Sequence, residues 1–276
     1  MENIGIIGQG FVGGAVRQGF ESDYNVLTYD INPNLCNCES LRDVVENCDV
    51  IFMCLPTPMR HDGSCYTGIL EEVVDEVCKI SKHCILVIKS TIPPGTIDFL
   101  AKKYILGFVY NPEFLTEANA VKDFKNQDRI VLGVEEDYAF DKVADIYRKT
   151  FPFIPIIKTT FNEAIMVKYI TNAFLASKVI FANEMYDICS SLGINYDMVS
   201  LVAQLDNRLG RSHWRVPGPD GDRGFGGHCF PKDLNALRHT ANQHNVNTHL
   251  LDAILFKNDL IRKDRDWERQ VGRAVI

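Results

Sequence analysis

The chain has 276 residues, of which 46% are hydrophobic and 24% charged, and its formal net charge is −7. This length and composition are typical of a soluble protein with one large domain or two ordinary domains. The acidic balance argues against nucleic acid as a partner. The N-terminus lacks the positively charged start of a signal peptide, and no apolar stretch is expected to span a bilayer. We therefore expect a cytoplasmic protein with no membrane partner.

Nine cysteines occur, an odd number, and Cys54 and Cys84 lie inside apolar, strand-like runs. Free cysteines of this kind mostly behave as small buried hydrophobic residues. Cys36 and Cys38 stand one residue apart, but no second pair of Cys or His residues follows at the spacing of a zinc site. The pattern predicts a reduced chain with neither disulfides nor a metal ion.

Short apolar runs alternate with amphipathic segments along the first part of the chain. Most runs are rich in Val and Ile and do not alternate with polar residues, which is typical of strands buried on both faces of a parallel sheet. This rhythm predicts a doubly wound, Rossmann-type α/β domain over residues 1–158. The predicted strands are NIGIIG, NVLTYD, DVIFMCLP, CILVIKST, GFVYN, DRIVLGV and IPIIK.

The pattern of apolar residues changes after Thr160, where the strand-like runs stop. Residues 161–193 contain no Pro, and no Gly before Gly193, and they are apolar almost all round, which predicts one long, deeply buried helix. Gly193 suits the position just after a helix C-terminus. Further helices are predicted over 196–206, over 231–245, and from Thr248 towards Trp267. Residues 159–276 are therefore expected to form an all-helical central domain, and the basic run over 261–273 is interpreted as a solvated helix face.

The long helix also bears on assembly. A helix that is apolar all round needs more cover than one small helical domain provides. We therefore expect a homodimer built on residues 161–193.

A glycine triplet follows the first predicted strand and opens a predicted helix. In G-x-G-x-x-G, the first glycine permits a tight turn, the second admits a pyrophosphate, and the third lets helix and strand pack closely. Asp30 ends the second strand, where a carboxylate accepts hydrogen bonds from ribose hydroxyls, and no arginine follows it, so NAD is favoured over NADP. The alternative is a tight turn without a ligand. The predicted cofactor contacts in the first motif are Gly8, Gly10, Phe11, Val12 and Gly13.

The segment GFGGHCFPKD, residues 224–233, places one thiol between a glycine run and a charged pair. Pro231 is suited to the first turn of a helix. Cys229 then lies just ahead of a helix N-terminus, where the dipole favours a thiolate. The alternative is a glycine-rich turn with a half-buried cysteine.

Two further pairs of polar residues are each spaced by four. Lys168 and Asn172 share a face of the long helix, where a buried lysine is costly unless it is used; the alternative is a lysine that reaches the surface. Glu113 and Glu117 suggest an exposed helix face, or a helix that starts after Pro112 at the ligand-binding edge of the sheet.

Six segments occur in a characteristic order: GQGFVG, LPTP, KSTIPPGT, NPEFLTEANAVKDFKNQDRIVLG, KYITNAFLASKVIFANE and GFGGHCFPKD. Together they resemble the UDP-glucose/GDP-mannose dehydrogenases across the whole chain. The resemblance implies NAD-dependent, four-electron oxidation of the C6 alcohol of a nucleotide sugar, most readily UDP-glucose, through a covalent thioester.

The resemblance also implies individual roles. Cys229 corresponds to the nucleophile, Lys168 and Asn172 to the pair that binds oxyanion and water, Asp233 to an aspartate near the thiol, and Glu113 to a glutamate tied to thioester hydrolysis. Thr91 corresponds to a residue that positions the water. The implied cofactor-pocket residues are Thr57, Thr91 and Glu117. The implied substrate contacts are Glu113, Phe114, Leu115, Lys168, Asn172, Gly226 and Arg208, the last reaching the neighbouring subunit's substrate.

The chain also departs from the family pattern. The third, C-terminal nucleotide-binding domain of the family is expected to be absent, and the loop over 212–227 is longer than in many members. Two alternatives remain: a two-electron β-hydroxyacid-type dehydrogenase, and a non-catalytic NAD-binding or assembly protein. The thiol motif counts against the first, and the complete set of active-site residues counts against the second.

Overall fold

The computed structural model describes the whole chain, Met1–Ile276. It forms two compact units. The first contains Met1–Thr57 and Thr67–Lys168, and the second contains Pro58–Tyr66 and Tyr169–Ile276.

The first unit contains a seven-stranded sheet in the order β2-β1-β3-β4-β5-β6-β7. The strands are β1 (Asn3–Ile7), β2 (Asn25–Tyr29), β3 (Val50–Met53), β4 (Ile85–Ile88), β5 (Gly107–Tyr110), β6 (Ile130–Gly133) and β7 (Ile156–Thr159). All seven predicted strands and the Rossmann-type fold class are confirmed. One neighbouring pair departs from the predicted parallel arrangement, because β5 and β6 run antiparallel through the pairing of Tyr110 with Gly133.

Helices connect these strands and cover the sheet. They are α1 (Phe11–Phe20), α2 (Leu41–Asn47), α3 (Gly68–Ile80), α4 (Thr96–Lys103), α5 (Ala120–Lys125) and α6 (Asp137–Thr150). Every residue of β3 and β4 is buried, as expected for strands covered on both faces. An aromatic cluster forms part of the core, with Phe20, Phe52, Phe124, Tyr147 and Phe151 in edge, tilted or stacked contact.

Helix α7 (Phe161–Ser191) begins in the first unit and continues into the second. The second unit adds α8 (Tyr196–Ala203), α9 (Phe230–Gln243) and α10 (His249–Ile261). Gly193 has the left-handed φ of 67° that suits the residue after a helix end, as predicted. The last helix is shorter than predicted, because Arg262 is extended and only a 3₁₀ turn, Asp266–Arg269, follows.

The prediction that the long helix is deeply buried is wrong for one of its faces. Ile170, Phe174, Phe181 and Ile188 have 61%, 63%, 52% and 46% of their surface exposed. Their spacings of four, seven and seven residues place them on one side of α7. The chain therefore presents an apolar stripe along this helix.

Helix α7 also corrects the expectation that no segment is long enough to cross a bilayer. It is 31 residues long and contains a window with a mean hydropathy of 1.4, which suffices by length and composition. The core helix of a soluble protein meets the same two criteria, so this observation is weak evidence for a membrane span.

Candidate active site

The turn between β1 and α1 has the steric properties of a dinucleotide-binding turn. Gly8 has a φ of 90°, and a Cβ there would lie 2.3 Å from the carbonyl oxygen of Cys54. A Cβ on Gly13 would lie 1.9 Å from the carbonyl oxygen of Gly8, whereas a Cβ on Gly10 would meet nothing within 4 Å. Gly8 and Gly13 are therefore needed for packing, and Gly10 leaves open space at the helix start.

The start of α1 is suited to an anion. The first intrahelical hydrogen bond runs from Gly14 N to Gly10 O over 2.9 Å, so the amides of the preceding turn lie at the positive end of the helix. Phe11 and Val12 contribute two amides of this first turn. The arrangement fits the pyrophosphate of a dinucleotide.

Asp30 connects the glycine turn to the end of β2. Its Oδ2 accepts a hydrogen bond from Gln9 N at 2.6 Å, and its Oδ1 accepts one from Asn32 N at 2.8 Å. These two bonds fix the carboxylate beside the turn, where remaining lone pairs are suited to ribose hydroxyls. The geometry agrees with a site for NAD.

Asp30→Ala is expected to weaken NAD binding about 10- to 100-fold, because one charge-assisted hydrogen bond contributes about 1.5–3 kcal/mol. Calorimetric titration with NAD and NADP measures the effect. Asp49→Ala, a change at an exposed aspartate of the same unit, is the matched control. Equal affinity of the unchanged protein for NAD and NADP would contradict the assigned cofactor preference.

Glu113 and Lys168 form a buried ion pair within the first unit. Lys168 Nζ lies 2.9 Å from Glu113 Oε1 and donates a second hydrogen bond, of 2.7 Å, to the Glu113 carbonyl oxygen. Their side chains are only 4% and 7% exposed. The alternative in which Lys168 reaches the surface is therefore wrong.

The surroundings of Glu113 keep it ionised. Burial acts to raise the pKa of its carboxyl, but the Lys168 ammonium, a 2.7 Å hydrogen bond from Leu115 N and the Lys89 ammonium outweigh burial and lower that pKa. Phe114 lies between Glu113 and Leu115 in sequence, and its ring centroid is 5.9 Å from Lys168 Nζ. The pair thus provides a carboxylate and an ammonium at neutral pH.

No helix starts at Pro112, so the expected helical pairing of Glu113 with Glu117 is wrong. Glu113 lies in an irregular segment, and Glu117 begins a short 3₁₀ turn, Glu117–Asn119, where it is exposed. The hydrogen bonds from Lys168 to the Glu113 carbonyl and from Leu115 N to its carboxylate hold this segment in a non-helical conformation.

Lys89 is a buried cation that the sequence reasoning missed. It is 3% exposed, and its Nζ donates to Asn111 Oδ1 at 2.7 Å and to the Asn111 carbonyl oxygen at 3.3 Å. Tyr147 Oη donates to the same Asn111 Oδ1 at 2.5 Å. Lys89 and Lys168 therefore hold the Asn111–Glu113 segment through two of its carbonyl groups. The signal was available, because Lys89 interrupts an apolar run as Lys168 does.

Burial lowers the pKa of Lys89 to about 8, although the Cys54 thiol and Glu113 oppose this shift. The ordinary pKa of a lysine is 10.5, so between pH 8 and pH 10.5 the unfolded chain binds more protons at this residue than the folded chain does. The group therefore lowers stability most below pH 8, by about 3 kcal/mol, and this cost disappears as pH rises towards 10.5.

Lys89→Met is accordingly expected to change the pH dependence of stability. The free energy of unfolding of the variant relative to the parent should fall by about 3 kcal/mol as pH rises from 7 to 10.5. Denaturant unfolding across this pH range provides the measurement, with Lys102→Met, at an exposed lysine, as control. The same pH profile in parent and Lys89→Met would refute the assignment.

Thr57 and Thr91 are joined at the ends of neighbouring strands. Thr57 Oγ1 donates a 2.7 Å hydrogen bond to the Thr91 carbonyl oxygen, and both residues are buried. The two predicted cofactor-pocket residues are therefore adjacent.

Cys229 lies at the N-terminus of α9, as predicted. It is the N-cap residue of this helix, Pro231 occupies its first turn, and the first helical bond runs from Asp233 N to Cys229 O over 2.9 Å. The thiol is half-buried. It therefore lies at the positive end of a 14-residue helix.

Three polar residues accompany this thiol within the second unit. Asp233 is 2% exposed, its Oδ2 accepts a hydrogen bond from Asn172 Nδ2 at 2.6 Å, and its Oδ1 lies 2.5 Å from Lys232 Nζ. Burial acts to lower the pKa of Lys232, but Asp233, followed by the thiols of Cys65 and Cys229, raises it. Lys232, whose side chain is 11% exposed, is therefore a partly buried cation near Cys229, a role that the sequence reasoning did not assign.

Arg208 and Gly226, two of the predicted substrate contacts, each contact charged side chains of the second unit. Arg208 is exposed and pairs with Asp206, the Nη2–Oδ2 distance being 2.5 Å. Gly226 packs so closely that a Cβ would lie 2.2 Å from Arg262 Nη2 and from Asp266 Oδ1.

Fold and glycine turn together define a Rossmann-type dinucleotide-binding protein. Residues 34–151 match the NAD binding domain of the UDP-glucose/GDP-mannose dehydrogenase family, and residues 162–260 match the central domain of the same family. The chain belongs to the UDP-glucose/GDP-mannose dehydrogenase family, and NAD is the cofactor that this family implies.

Relatives and a solved structure agree with this assignment. The chain is 38% identical over 238 residues to the putative UDP-glucose 6-dehydrogenase YtcA of Bacillus subtilis (strain 168), covering 82% of this chain and 54% of that protein. It is 37% identical over 224 residues to the UDP-glucose 6-dehydrogenase of Rickettsia prowazekii (strain Madrid E), covering 78% and 50%. The structure of a UDP-glucose dehydrogenase from Pyrobaculum islandicum matches with a TM-score of 0.85 and 28% identity, covering 94% of this chain and 68% of that chain. The chain thus spans about half the length of these curated relatives.

Proposed function

We propose that this chain acts in the NAD-dependent oxidation of the C6 alcohol of a UDP-sugar, UDP-glucose being the first candidate, to the carboxylate. The observation that carries the proposal is the half-buried Cys229 at the N-terminus of α9, accompanied by Lys232 and Asp233. Family membership supports the reaction class. Bound NAD supplies a hydride acceptor for each of the two oxidations, held by the glycine turn and Asp30.

The thiol explains how an alcohol becomes an acid without release of an aldehyde. The first oxidation removes a hydride and a proton from the C6 alcohol and yields an aldehyde. The Cys229 thiolate adds to the aldehyde carbon, and loss of a second hydride from the resulting thiohemiacetal gives a thioester. Water then cleaves the carbon–sulfur bond, which releases the carboxylate and restores the thiol. Cysteine suits both tasks, because its thiolate is a strong nucleophile near neutral pH and its thioester is reactive.

The polar residues are assigned roles that match their chemistry. We assign Lys168 and Asn172 to the developing oxyanions, because an ammonium and an amide can both donate hydrogen bonds to negative oxygen. Glu113, which is ionised, is assigned to the proton of the hydrolytic water, with Thr91 and Asp233 as further partners of that water. Thr57, Thr91 and Glu117 are assigned to the cofactor pocket, and Phe114, Leu115 and Gly226 to the substrate.

The proposed function is tested by the yield of NADH per sugar nucleotide consumed, across a panel of UDP- and GDP-sugars. Two NADH per sugar without free aldehyde is the expected result. One NADH per sugar would instead favour a two-electron, β-hydroxyacid-type dehydrogenase. NAD binding without turnover of any sugar would contradict catalysis by this chain alone. We also propose a cytoplasmic location and a role in polysaccharide synthesis. Both agree with a reaction that consumes NAD and sugar nucleotides.

We further propose a homodimer through the apolar stripe of α7. Four large apolar side chains exposed along one helix face form a surface that a second copy of the same helix suits, since burial of apolar area drives association. Exposed apolar residues on α8 and just after it, Met198, Leu201 and Leu205, enlarge the apolar surface of this unit. In this assembly Arg208 is assigned to the partner subunit's substrate, for which its exposure leaves it available.

Phe174→Asp combined with Phe181→Asp is expected to dissociate the dimer, because each carboxylate buried at an interface without a partner costs several kcal/mol. The dimer dissociation constant should rise about 100-fold or more. Light scattering at micromolar concentration measures the mass. Phe153→Asp is the matched control, since Phe153 is 94% exposed and lies in the first unit. A parent protein that is already monomeric under these conditions would contradict both the dimer and the role of Arg208.

A further inference from the structure

The segment after α10 is only in part the solvated basic helix face that its composition predicts. Four of its five basic residues are exposed, but the helix ends at Ile261 and Arg262 is buried. Arg262 is extended at the end of this helix with its side chain only 3% exposed, and Trp267 is 4% exposed. Both belong to the same unit as the glycine run over 224–227 that precedes Cys229. The buried groups of this segment can therefore contact the loop over 212–227, which precedes Cys229.

Three polar side chains bind the backbone of the glycine run, at Gly224, Phe225 and Gly227. Asn183 Oδ1 accepts a hydrogen bond from Gly224 N at 3.4 Å. Asn258 binds Phe225 twice, accepting from its N at 2.7 Å and donating to its O at 3.0 Å. The two oxygens of Asp266 accept from Gly227 N at 3.2 and 3.0 Å.

Asp266 is itself held by a buried cation. Arg262 Nη2 lies 3.0 Å from Asp266 Oδ1, and Arg262 Nη1 lies 2.6 Å from Asp220 Oδ2, a residue of the same loop. Arg262 Nε donates a 2.7 Å hydrogen bond to the Asp264 carbonyl oxygen. The guanidinium thus joins three carboxylates and one carbonyl in a single network, the third carboxylate being that of Asp222, 3.7 Å from Nε.

The glycines are required where this network meets the loop. Gly226 packs directly on the Arg262–Asp266 pair, where a Cβ has no room. Gly227 has a φ of 69°, in the left-handed region that other residues rarely adopt. A side chain at Gly226 would therefore disturb the ion pair, and one at Gly227 would strain the loop backbone.

We infer that Asp266, held in place by Arg262, is a positioning residue for the Cys229 thiol. Gly227 is two residues before Cys229, and Asp233 anchors the start of α9 on the other side through Asn172 and Lys232. The thiol therefore lies between two fixed points, and release of one of them allows it to move. This inference rests on the proposed function of Cys229 as nucleophile.

The test compares Asp266→Ala with Asp266→Asn. Alanine removes both acceptors for Gly227 N, whereas asparagine keeps one oxygen acceptor, replaces the other oxygen with an NH2 donor and removes the charge. Asp259→Ala is the matched control, because Asp259 is half-exposed near the end of α10 and pairs only with the surface residue Arg265 at 3.4 Å.

Three measurements are made on the intact chain: hydrogen exchange of the peptide over 223–228, the rate of Cys229 alkylation by iodoacetamide, and the kcat and KM of sugar oxidation. In Asp266→Ala we expect exchange about tenfold faster in this peptide alone. Cys229 alkylation should rise about threefold while the other eight cysteines are unchanged. We expect kcat to fall about 10- to 100-fold with an unchanged KM for NAD. Asp266→Asn should recover most of each effect.

A purely structural role predicts a different pattern, with faster exchange and faster alkylation throughout the second unit. That pattern, or Asp266→Ala indistinguishable from the parent, would overturn the inference. Exchange and alkylation need no turnover, so a parent that forms no NADH with any sugar nucleotide would refute the proposed function while these two rates still decide whether Asp266 positions the thiol.

Discussion

Cys229→Ser is expected to abolish the second oxidation while a slow first oxidation persists. Serine keeps the shape and the position at the start of α9, but its hydroxyl is far less acidic than a thiol and is a much weaker nucleophile near neutral pH. The first oxidation needs no covalent bond to this residue, so it is not blocked. The aldehyde then leaves the protein, because nothing captures it.

The measurement is the ratio of NADH formed to sugar nucleotide consumed, with a carbonyl reagent present to trap released aldehyde. The parent should form two NADH and no trapped aldehyde. Cys229→Ser should form at most one NADH and one equivalent of trapped aldehyde. Cys38→Ser, a change at a half-buried thiol of the first unit, is the control and should behave as the parent does.

Two outcomes would contradict the covalent mechanism. Two NADH per sugar in Cys229→Ser would show that the thiol is not the nucleophile. One NADH per sugar in the parent, unchanged in Cys229→Ser, would replace the four-electron reaction with a two-electron reaction of the β-hydroxyacid type.

The features that sequence reasoning predicted correctly depend on residues close together in the chain. The apolar runs identify the strands because burial on both faces needs several consecutive apolar residues. The glycine turn and the thiol at the start of α9 each follow from local backbone preferences, of Gly8 and Pro231 among others.

The features that were missed or wrong depend on contacts between distant segments. Asn172 binds Asp233 across 61 positions of the chain, and Asp266 binds Gly227 across 39. No periodicity encodes such pairs. The helix expected at Glu113 fails for the same reason, because Lys168, 55 residues away, takes its carbonyl oxygen.

Exposure of α7 is a separate case. Its composition is nearly uniform around the helix, so periodicity indicates no buried face. The structure of one chain shows which face its own residues cover. The stripe containing Phe174 is the face they leave exposed.

Lys168→Met is expected to have the largest effect on both stability and activity. It removes the nearest cation from a carboxylate that is 7% exposed, and breaking a buried ion pair in this way costs about 3–5 kcal/mol. Both oxidations should also fail, because an oxyanion develops in each. Adding Glu113→Gln removes the uncompensated charge, so the double variant should recover most of the stability and none of the activity.

The pH dependence distinguishes a lost ion pair from a simple packing defect. In the parent the pKa of Glu113 is lowered, so the pair stabilises the fold above the ordinary pKa of a glutamate and is lost as pH falls through the lowered value. Without Lys168, burial acts with less opposition and raises the pKa of Glu113, so protonation in mild acid should relieve part of the cost. The free energy of unfolding of Lys168→Met should therefore fall below that of the parent by less at pH 5 than at pH 8, as measured by denaturant unfolding. The double variant should show a deficit that does not change with pH. Two results would contradict this explanation: a loss of unfolding free energy in Lys168→Met that is equal at both pH values, or a loss that Glu113→Gln fails to reduce. Either result would show that the cost comes from lost packing around the methylene chain. It would also remove the electrostatic basis for assigning an ionised Glu113 to the hydrolytic water.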